Sequence, residues 1–131
     1  MKQVIGGPIT FKDGRTFPLS RAVVCSGLIF VSGQVAMDED NKVVGHTIGE
    51  QTRQVIANIK AILATVGADL SDVIKATAWL TDPKDFAGFN EEYARHFSVA
   101  PPARSAVCSA LVLPGYLVEL EVVAAAPNRS E

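Results

Sequence analysis

The chain has 131 residues, of which 48% are hydrophobic, and a formal net charge of −2 at pH 7. This length and composition predict one globular domain over residues 1–131 with a buried core. The scattered basic residues argue against a nucleic-acid partner, and no apolar stretch reaches the roughly 18 residues of a membrane span.

The amino-terminal third predicts antiparallel strands. Residues 22–25 and 28–32 are apolar runs on either side of Ser26-Gly27, which is typical of a hairpin turn. A polar turn over residues 38–41 and a short strand at Val43-Val44 follow.

The first predicted helix has a signal at each end. Thr47 and Glu50 fit a capping box, and Gly67 is a typical residue just past a helix end. Between them, apolar residues recur at helical spacing: Ile48, Val55, Ile56, Ile59, Ile62, Leu63 and Val66. A strand containing Trp79 is predicted over residues 73–80.

The second predicted helix starts at Asp82 as the cap, with Pro83 in the first helical position. Its buried stripe is predicted to be aromatic: Phe86, Phe89, Tyr93 and Phe97. Aromatic residues at this spacing are far more often core than cofactor-binding.

Two long strands, over residues 105–112 and 117–124, are predicted to end the chain as a hairpin around Pro114-Gly115. The order of elements predicts an α+β fold in which both helices cover one face of a sheet. Because the strands are apolar on both sides, we expect another subunit to cover the other face.

Arg104 and Glu119 are the main candidates for a functional site. Arg104 follows the stiff segment Pro101-Pro102-Ala103, and its planar guanidinium matches a carboxylate bidentately. A surface ion pair is an equally good interpretation. Glu119 and Glu121 lie on the same face of a strand, which indicates solvent, an arginine partner or a wet cavity.

The predicted hairpin separates the two candidates. A turn at Pro114-Gly115 places Glu119 opposite Ala110, six residues from Arg104, which corresponds to about 20 Å along the strand. If Arg104 and Glu119 act together, we expect them to come from different subunits, unless a bulge shifts the register.

Other candidates carry weaker signals. Gly33, in Ser32-Gly33-Gln34, would let a ligand approach the backbone, although a plain turn at the strand end is the commoner outcome. Asn90 is a polar residue on an otherwise apolar helix face, where it reaches a ligand, bonds backbone across an interface or is simply exposed. The histidines and the two cysteines lack metal-ligand or disulfide spacing. We therefore expect no metal site and a reducing, cytoplasmic location, and the amino terminus lacks a secretory signal.

Many short motifs, in this order, resemble the RidA/YjgF family of imine and enamine deaminases. They extend from Pro18 to Ala124, and each is weak alone whereas the ordered set is specific. The matching segments include Pro18-Leu19-Ser20-Arg21, Phe30-Val31-Ser32-Gly33-Gln34, Asn90-Glu91-Glu92-Tyr93, Pro102-Ala103-Arg104-Ser105 and Val118-Glu119-Leu120-Glu121.

The resemblance implies a chorismate-mutase-like fold with a mixed β-sheet, a homotrimer with ligand clefts between subunits, and no metal or organic cofactor. The family arginine that binds the substrate carboxylate corresponds to Arg104. The glutamate that positions the hydrolytic water corresponds to Glu119, which leaves Glu121 as a structural carboxylate. The positions lining the cleft correspond to Ser32, Gly33 and Asn90.

Two residues depart from the family pattern. Leu19 stands where the best-known deaminases have a tyrosine, and Ala106 stands where they have a cysteine that acts mainly through its backbone carbonyl. Ala106 can supply the same carbonyl. Leu19 removes a hydroxyl from the pocket and enlarges its apolar surface, which leaves the substrate range open.

The resulting hypothesis is a 2-iminobutanoate/2-iminopropanoate-type deaminase, which hydrolyses small carboxylate-bearing imines and enamines to 2-keto acids and ammonia. The alternatives are a trimeric carboxylate-binding or regulatory protein without turnover, which Leu19 favours, and a deaminase of a larger substrate such as an aminomuconate. RNA cleavage is a further activity attached to relatives, and the absence of a basic patch counts against it.

Overall fold

The computed structural model describes residues 1–127. The strands are β1 (Gln3–Ile5), β2 (Ile9–Thr10), β3 (Thr16–Phe17), β4 (Ala22–Cys25), β5 (Leu28–Val35), β6 (Val73–Leu80), β7 (Ala103–Cys108) and β8 (Val118–Ala125). The helices are α1 (Ile48–Ala64) and α2 (Phe86–His96). Short 3-10 turns precede β6 and α2.

Six strands form one mixed sheet in the order β1-β4-β5-β8-β6-β7, and β2 and β3 form a separate two-stranded ribbon. β6 and β7 are parallel, and the other neighbours in the large sheet are antiparallel. The two helices pack on one face of this sheet and bury a core that includes Phe89, Ile56, Ile59 and Leu120. The predicted α+β fold is confirmed.

Local sequence signals predicted several elements correctly. The hairpin of β4 and β5 pairs Cys25 with Leu28. The capping box at the start of α1 is present, with both reciprocal hydrogen bonds between Thr47 and Glu50. Gly67 takes a positive φ of 76° three residues after α1 ends, a conformation that glycine adopts without strain.

The predicted carboxyl-terminal hairpin is wrong. β7 ends at Cys108 and pairs with β6, while β8 lies between β5 and β6 in the sheet. The reason is that β6, α2 and β7 form a strand-helix-strand unit, whose two strands lie parallel and adjacent. β8, with four buried apolar residues on one face, takes a central position instead.

Three smaller predictions also need correction. Val43 makes only an isolated bridge with Met37, so no strand forms at Val43-Val44. α2 begins at Phe86, because Asp82 caps a 3-10 turn over Pro83–Asp85 that comes first. Phe86 is 43% exposed and lies outside the buried part of the aromatic stripe.

Within residues 1–127, no helix is long and apolar enough to cross a membrane.

Candidate functional site between the sheet faces

Arg104 is the second residue of β7, the outermost strand of the sheet. It is in register with Ala76 of β6, a buried residue on the helix-covered face, so its side chain points toward α2. The guanidinium carbon lies 4.8 Å from the ring centroid of Tyr93, 5.3 Å from that of Phe89 and 5.7 Å from that of Phe86. The aromatic stripe of α2 therefore holds this arginine.

The Arg104 guanidinium makes no ion pair with any carboxylate of residues 1–127. Arg15 also stacks on aromatic rings, those of Phe11 and Phe17, but it pairs with Asp13 at 2.7 Å. The five N–H donors of a guanidinium lie in its plane, and rings against its faces leave them free. Arg104 is thus positioned and half-buried, with donors available for a ligand.

Glu119 lies on the opposite face of the sheet. It pairs with Trp79 of β6 and Val35 of β5, and it alternates with the buried residues Val118 and Leu120 that face the helices. Burial raises the pKa of Glu119 above its usual range, and the negative charge of Glu121 on the same face raises it further. A carboxylate whose pKa is raised is a stronger base, which suits it to accept a proton.

Arg104 and Glu119 do not meet within one chain. Through Ala76, Arg104 is in register with Val122, which lies two strands away and three residues from Glu119. This corresponds to about 14 Å between the two backbone positions, with side chains on opposite faces. The predicted separation of about 20 Å is therefore wrong, because β7 and β8 do not form a hairpin. That the two residues come from different subunits stays a prediction.

Gly33 lies beside the carboxylate of Glu119 because β5 has a bulge. Between the pairs Val31–Val122 and Gln34–Leu120, β5 uses one residue more than β8. A Cβ at position 33 would overlap the Glu119 carboxylate, so glycine lets that carboxylate keep its position against the backbone of β5. Ser32, the preceding residue, is engaged internally, since its hydroxyl donates to the carbonyl of Ser20.

Leu19 and Gly33 line the same groove. Leu19 is 44% exposed, and the groove is lined by residues of the β2–β3 ribbon and by α1 residues that include Asn58. The apolar lining includes Phe17 and Leu113. Leu19 therefore presents an apolar surface on the side of the molecule that carries Gly33.

Ala106 and Asn90 lie on the side of Arg104. Ala106 is in register with Ala78, so it shares the helix-covered face and the exposed edge of the sheet with Arg104. Asn90 lies on α2 between Phe86 and Tyr93, and its Oδ1 is buried without a hydrogen-bond partner among the described residues. The seven candidates thus form two groups: Arg104, Ala106 and Asn90, and Leu19, Ser32, Gly33 and Glu119.

The sequence interpretation missed the aromatic residues as parts of the site. The spacing of Phe89 and Tyr93 predicts core residues, and both are buried, but their rings also contact the guanidinium of Arg104. The signal was present in the order of elements. An aromatic helix that comes directly before an arginine-bearing strand packs against it in a strand-helix-strand unit.

Comparison with known proteins places the chain in a family. A sequence model of the family "Endoribonuclease L-PSP" matches residues 15–126. A RutC family protein of Pyrococcus abyssi is 44% identical over 108 residues, which cover 82% of this chain and 85% of the relative.

Solved structures give the same result. The structure of RidA from the Antarctic bacterium Psychrobacter sp. has a TM-score of 0.82 and 34% identity, covering 94% of this chain and 98% of that one. Yeast Mmf1 has a TM-score of 0.86 and 33% identity, covering 97% of this chain and 100% of its own. The resemblance inferred from the motifs is confirmed, and the chain belongs to the endoribonuclease L-PSP family, which is the YjgF/RidA family.

Proposed function

We propose that this protein is an enamine/imine deaminase that hydrolyses small 2-imino acids to 2-keto acids and ammonia in the cytoplasm. We further propose that it acts as a homotrimer without a cofactor, with each site built from Arg104 of one subunit and Glu119 of the next. The observation that carries the proposal is Arg104, a stacked arginine with no ion pair to any carboxylate of residues 1–127.

In this proposal Arg104 binds the substrate carboxylate through two parallel hydrogen bonds, a pairing that a lysine does not reproduce. The bond orients the C=N carbon, which is adjacent to the carboxylate. Aromatic contacts at 4.8–5.7 Å contribute about 0.5–2 kcal/mol to holding a cation in place. The guanidinium is therefore ordered before the substrate arrives.

Glu119 would hold the attacking water. As the water oxygen bonds to the iminium carbon, the π electrons of C=N move to nitrogen, and Glu119 accepts a proton from the water. The proton then passes to the nitrogen of the tetrahedral intermediate. The C–N bond breaks, and ammonia leaves while the hydroxyl oxygen forms the carbonyl and gives its proton to the ionised Glu119. Because the iminium is already electrophilic, an acid–base contribution of about 10²- to 10⁴-fold is sufficient.

The opposite-face geometry supports a site between subunits. A site that uses both residues needs a second copy, because Arg104 faces α2 and Glu119 faces the open side of the sheet. Leu19 and Gly33 would belong to the half-site of Glu119, and Asn90 and Ala106 to that of Arg104. The apolar surface of Leu19 favours substrates with apolar side chains.

The test measures the hydrolysis of 2-imino acids that are generated in situ. An amino-acid oxidase produces 2-imino acids from small and bulky amino acids, and semicarbazide traps those that escape hydrolysis. Wild type should reduce the trapped imine, and Arg104→Ala should lower kcat/KM by about 100-fold or more because a bidentate charged contact is lost. Arg15→Ala, which removes the other ring-stacked arginine, should leave activity unchanged.

The same experiment separates the alternatives. Binding of 2-keto acids without hydrolysis of any imine would indicate a ligand-binding protein. Hydrolysis confined to bulky substrates would indicate a deaminase of larger compounds. Because the family carries the name endoribonuclease, RNA cleavage is assayed as well. If the protein cleaves RNA, loses this activity in Arg104→Ala and hydrolyses no imine, the proposal is overturned.

A further inference from the structure

Tyr93 is the ring nearest to Arg104 and the only polar one of the three that contact it. Its centroid lies 4.8 Å from the guanidinium carbon. The other two rings are Phe86 and Phe89, and Phe97 continues the stripe one turn later with its centroid 4.6 Å from that of Tyr93. The other three aromatic positions of the stripe are phenylalanines, and only Tyr93 adds a hydroxyl.

The Tyr93 hydroxyl is buried and has no hydrogen-bond partner among residues 1–127. The residue as a whole is 6% exposed. A buried hydroxyl without a partner costs about 1–3 kcal/mol, which a phenylalanine would avoid. The described residues contain three buried side-chain polar atoms without a partner, and two of them, on Asn90 and Tyr93, belong to α2 beside Arg104.

We propose that Tyr93 is a ligand-binding residue of the Arg104 site, where its hydroxyl donates a hydrogen bond to the same carboxylate that Arg104 binds. This inference rests on the proposed function, since it assumes that Arg104 takes a carboxylate. A carboxylate offers about four acceptor positions, and a bidentate guanidinium uses two of them. The hydroxyl belongs to the ring whose centroid lies 4.8 Å from the guanidinium carbon, and in this proposal it uses a third.

The protonation state of Tyr93 agrees with a donor role. Burial raises the pKa of the phenol above its ordinary value of 10.0, against the opposing effect of the positive charge on Arg104. The hydroxyl therefore keeps its proton throughout the neutral range.

The experiment compares wild type, Tyr93→Phe, Arg104→Ala and Tyr116→Phe. The control tyrosine, Tyr116, is also 6% exposed but lies near Asp38 and outside α2. Pyruvate, a 2-keto acid, is titrated by calorimetry, and each variant's melting temperature and its KM and kcat for 2-imino acids are measured. Tyr93→Phe should weaken pyruvate binding by about 5- to 20-fold and raise KM more than it lowers kcat.

The melting temperature distinguishes a ligand contact from a structural one. Removal of a hydroxyl without a partner should leave the melting temperature of Tyr93→Phe unchanged or higher. A fall in melting temperature together with weaker binding would show that the hydroxyl is structural, and would overturn the inference. Tyr116→Phe should bind pyruvate as wild type does.

The two proposals fail in different ways. If Arg104→Ala loses pyruvate binding and Tyr93→Phe keeps it at the wild-type level, the role of Tyr93 is refuted and the carboxylate site stands. If wild type binds no pyruvate, or Arg104→Ala binds it as well as wild type, both proposals are refuted.

Discussion

At the scale of single residues, Glu119 and Glu121 show how one strand sets the protonation of a proposed water-binding group. Both side chains lie on the face of β8 away from the helices, because residues two apart on a strand share a face. Burial, and then the charge of Glu121, raise the pKa of Glu119. In the proposed mechanism Glu121 would therefore act through the pKa of Glu119, without contacting the substrate.

The pH profile of Glu121→Gln tests this role. In the proposed mechanism Glu119 must be ionised to accept a proton, so kcat/KM falls as the pH drops through its pKa. Replacement of Glu121 by a neutral residue removes the repulsion and lowers that pKa, so the acid limb of the profile should move to lower pH. Glu119→Gln should lose about 10²-fold or more in activity above the pKa of Glu119, and its profile should lack this acid limb.

An acid limb that stays in place, or moves to higher pH, would contradict the assignment of that limb to Glu119. The measurement is the kcat/KM of imine hydrolysis across the acid range, with wild type and Glu121→Gln in the same buffers.

At the scale of elements, α1 and α2 are joined by a buried carboxylate. Glu92 of α2 is 4% exposed and accepts hydrogen bonds from Arg53 of α1 at 3.2 Å and from Arg95 at 3.0 Å. His96 lies 2.8 Å from its other oxygen. Burial alone would raise the pKa of Glu92, but the hydrogen bonds from Arg53 and His96 outweigh burial and lower it below its usual range.

Glu92→Gln should lower the free energy of unfolding at neutral pH by about 1–3 kcal/mol, because it leaves the hydrogen bonds of a buried group incomplete. A lowered pKa in the folded state means that this stabilisation is present above the ordinary value of 4.5 and is lost as the pH falls through the lower folded value. The difference between variant and wild type should therefore shrink in acid. Urea unfolding at neutral pH and at successively lower pH measures it.

Glu91→Gln is the control for this prediction, since Glu91 is a neighbouring glutamate whose side chain is 73% exposed. It should change stability by less than about 0.5 kcal/mol. A difference for Glu92→Gln that stays constant or grows toward acid pH would contradict the prediction.

Elements defined by neighbouring residues could be predicted from the sequence, and those defined by distant contacts could not. The capping box at Thr47 and the turn at Ser26-Gly27 are formed within a few residues, so their signals are complete in the sequence. The position of β7 depends on its pairing with β6, the strand on the other side of α2 in the chain. The Pro114-Gly115 turn carries no information about which strand β7 pairs with. Arg104 and Glu119 could therefore be named as candidates, whereas their opposite faces required the sheet order.

At the scale of the whole molecule, the sheet leaves one face without helices. Phe30, paired with Val123, is 45% exposed on this face, and Val107, paired with Trp79, is 50% exposed. Glu119 lies on the same face. A partner subunit that covers these apolar residues would bring its own groups to Glu119, in line with the expectation that another subunit hides this face.

Shared sites make a specific prediction about mixed oligomers. Arg104→Ala and Glu119→Gln should each be nearly inactive. The first variant removes the carboxylate-binding half of every site, and the second removes the water-binding half. In a cyclic trimer, any mixture of the two kinds of subunit contains one interface where an intact Arg104 meets an intact Glu119. Mixed trimers should therefore recover about one third of the wild-type activity.

Coexpression of the two variants with different affinity tags, followed by purification on both tags, isolates the mixed oligomers, and their mass gives the number of subunits. A doubly tagged pair of Arg104→Ala chains is the matched control and should stay inactive. Mixed trimers that recover no activity would mean that the two residues do not share a site across the subunit boundary. Since they face opposite sides of the sheet in each chain, their joint role in catalysis would then be excluded as well.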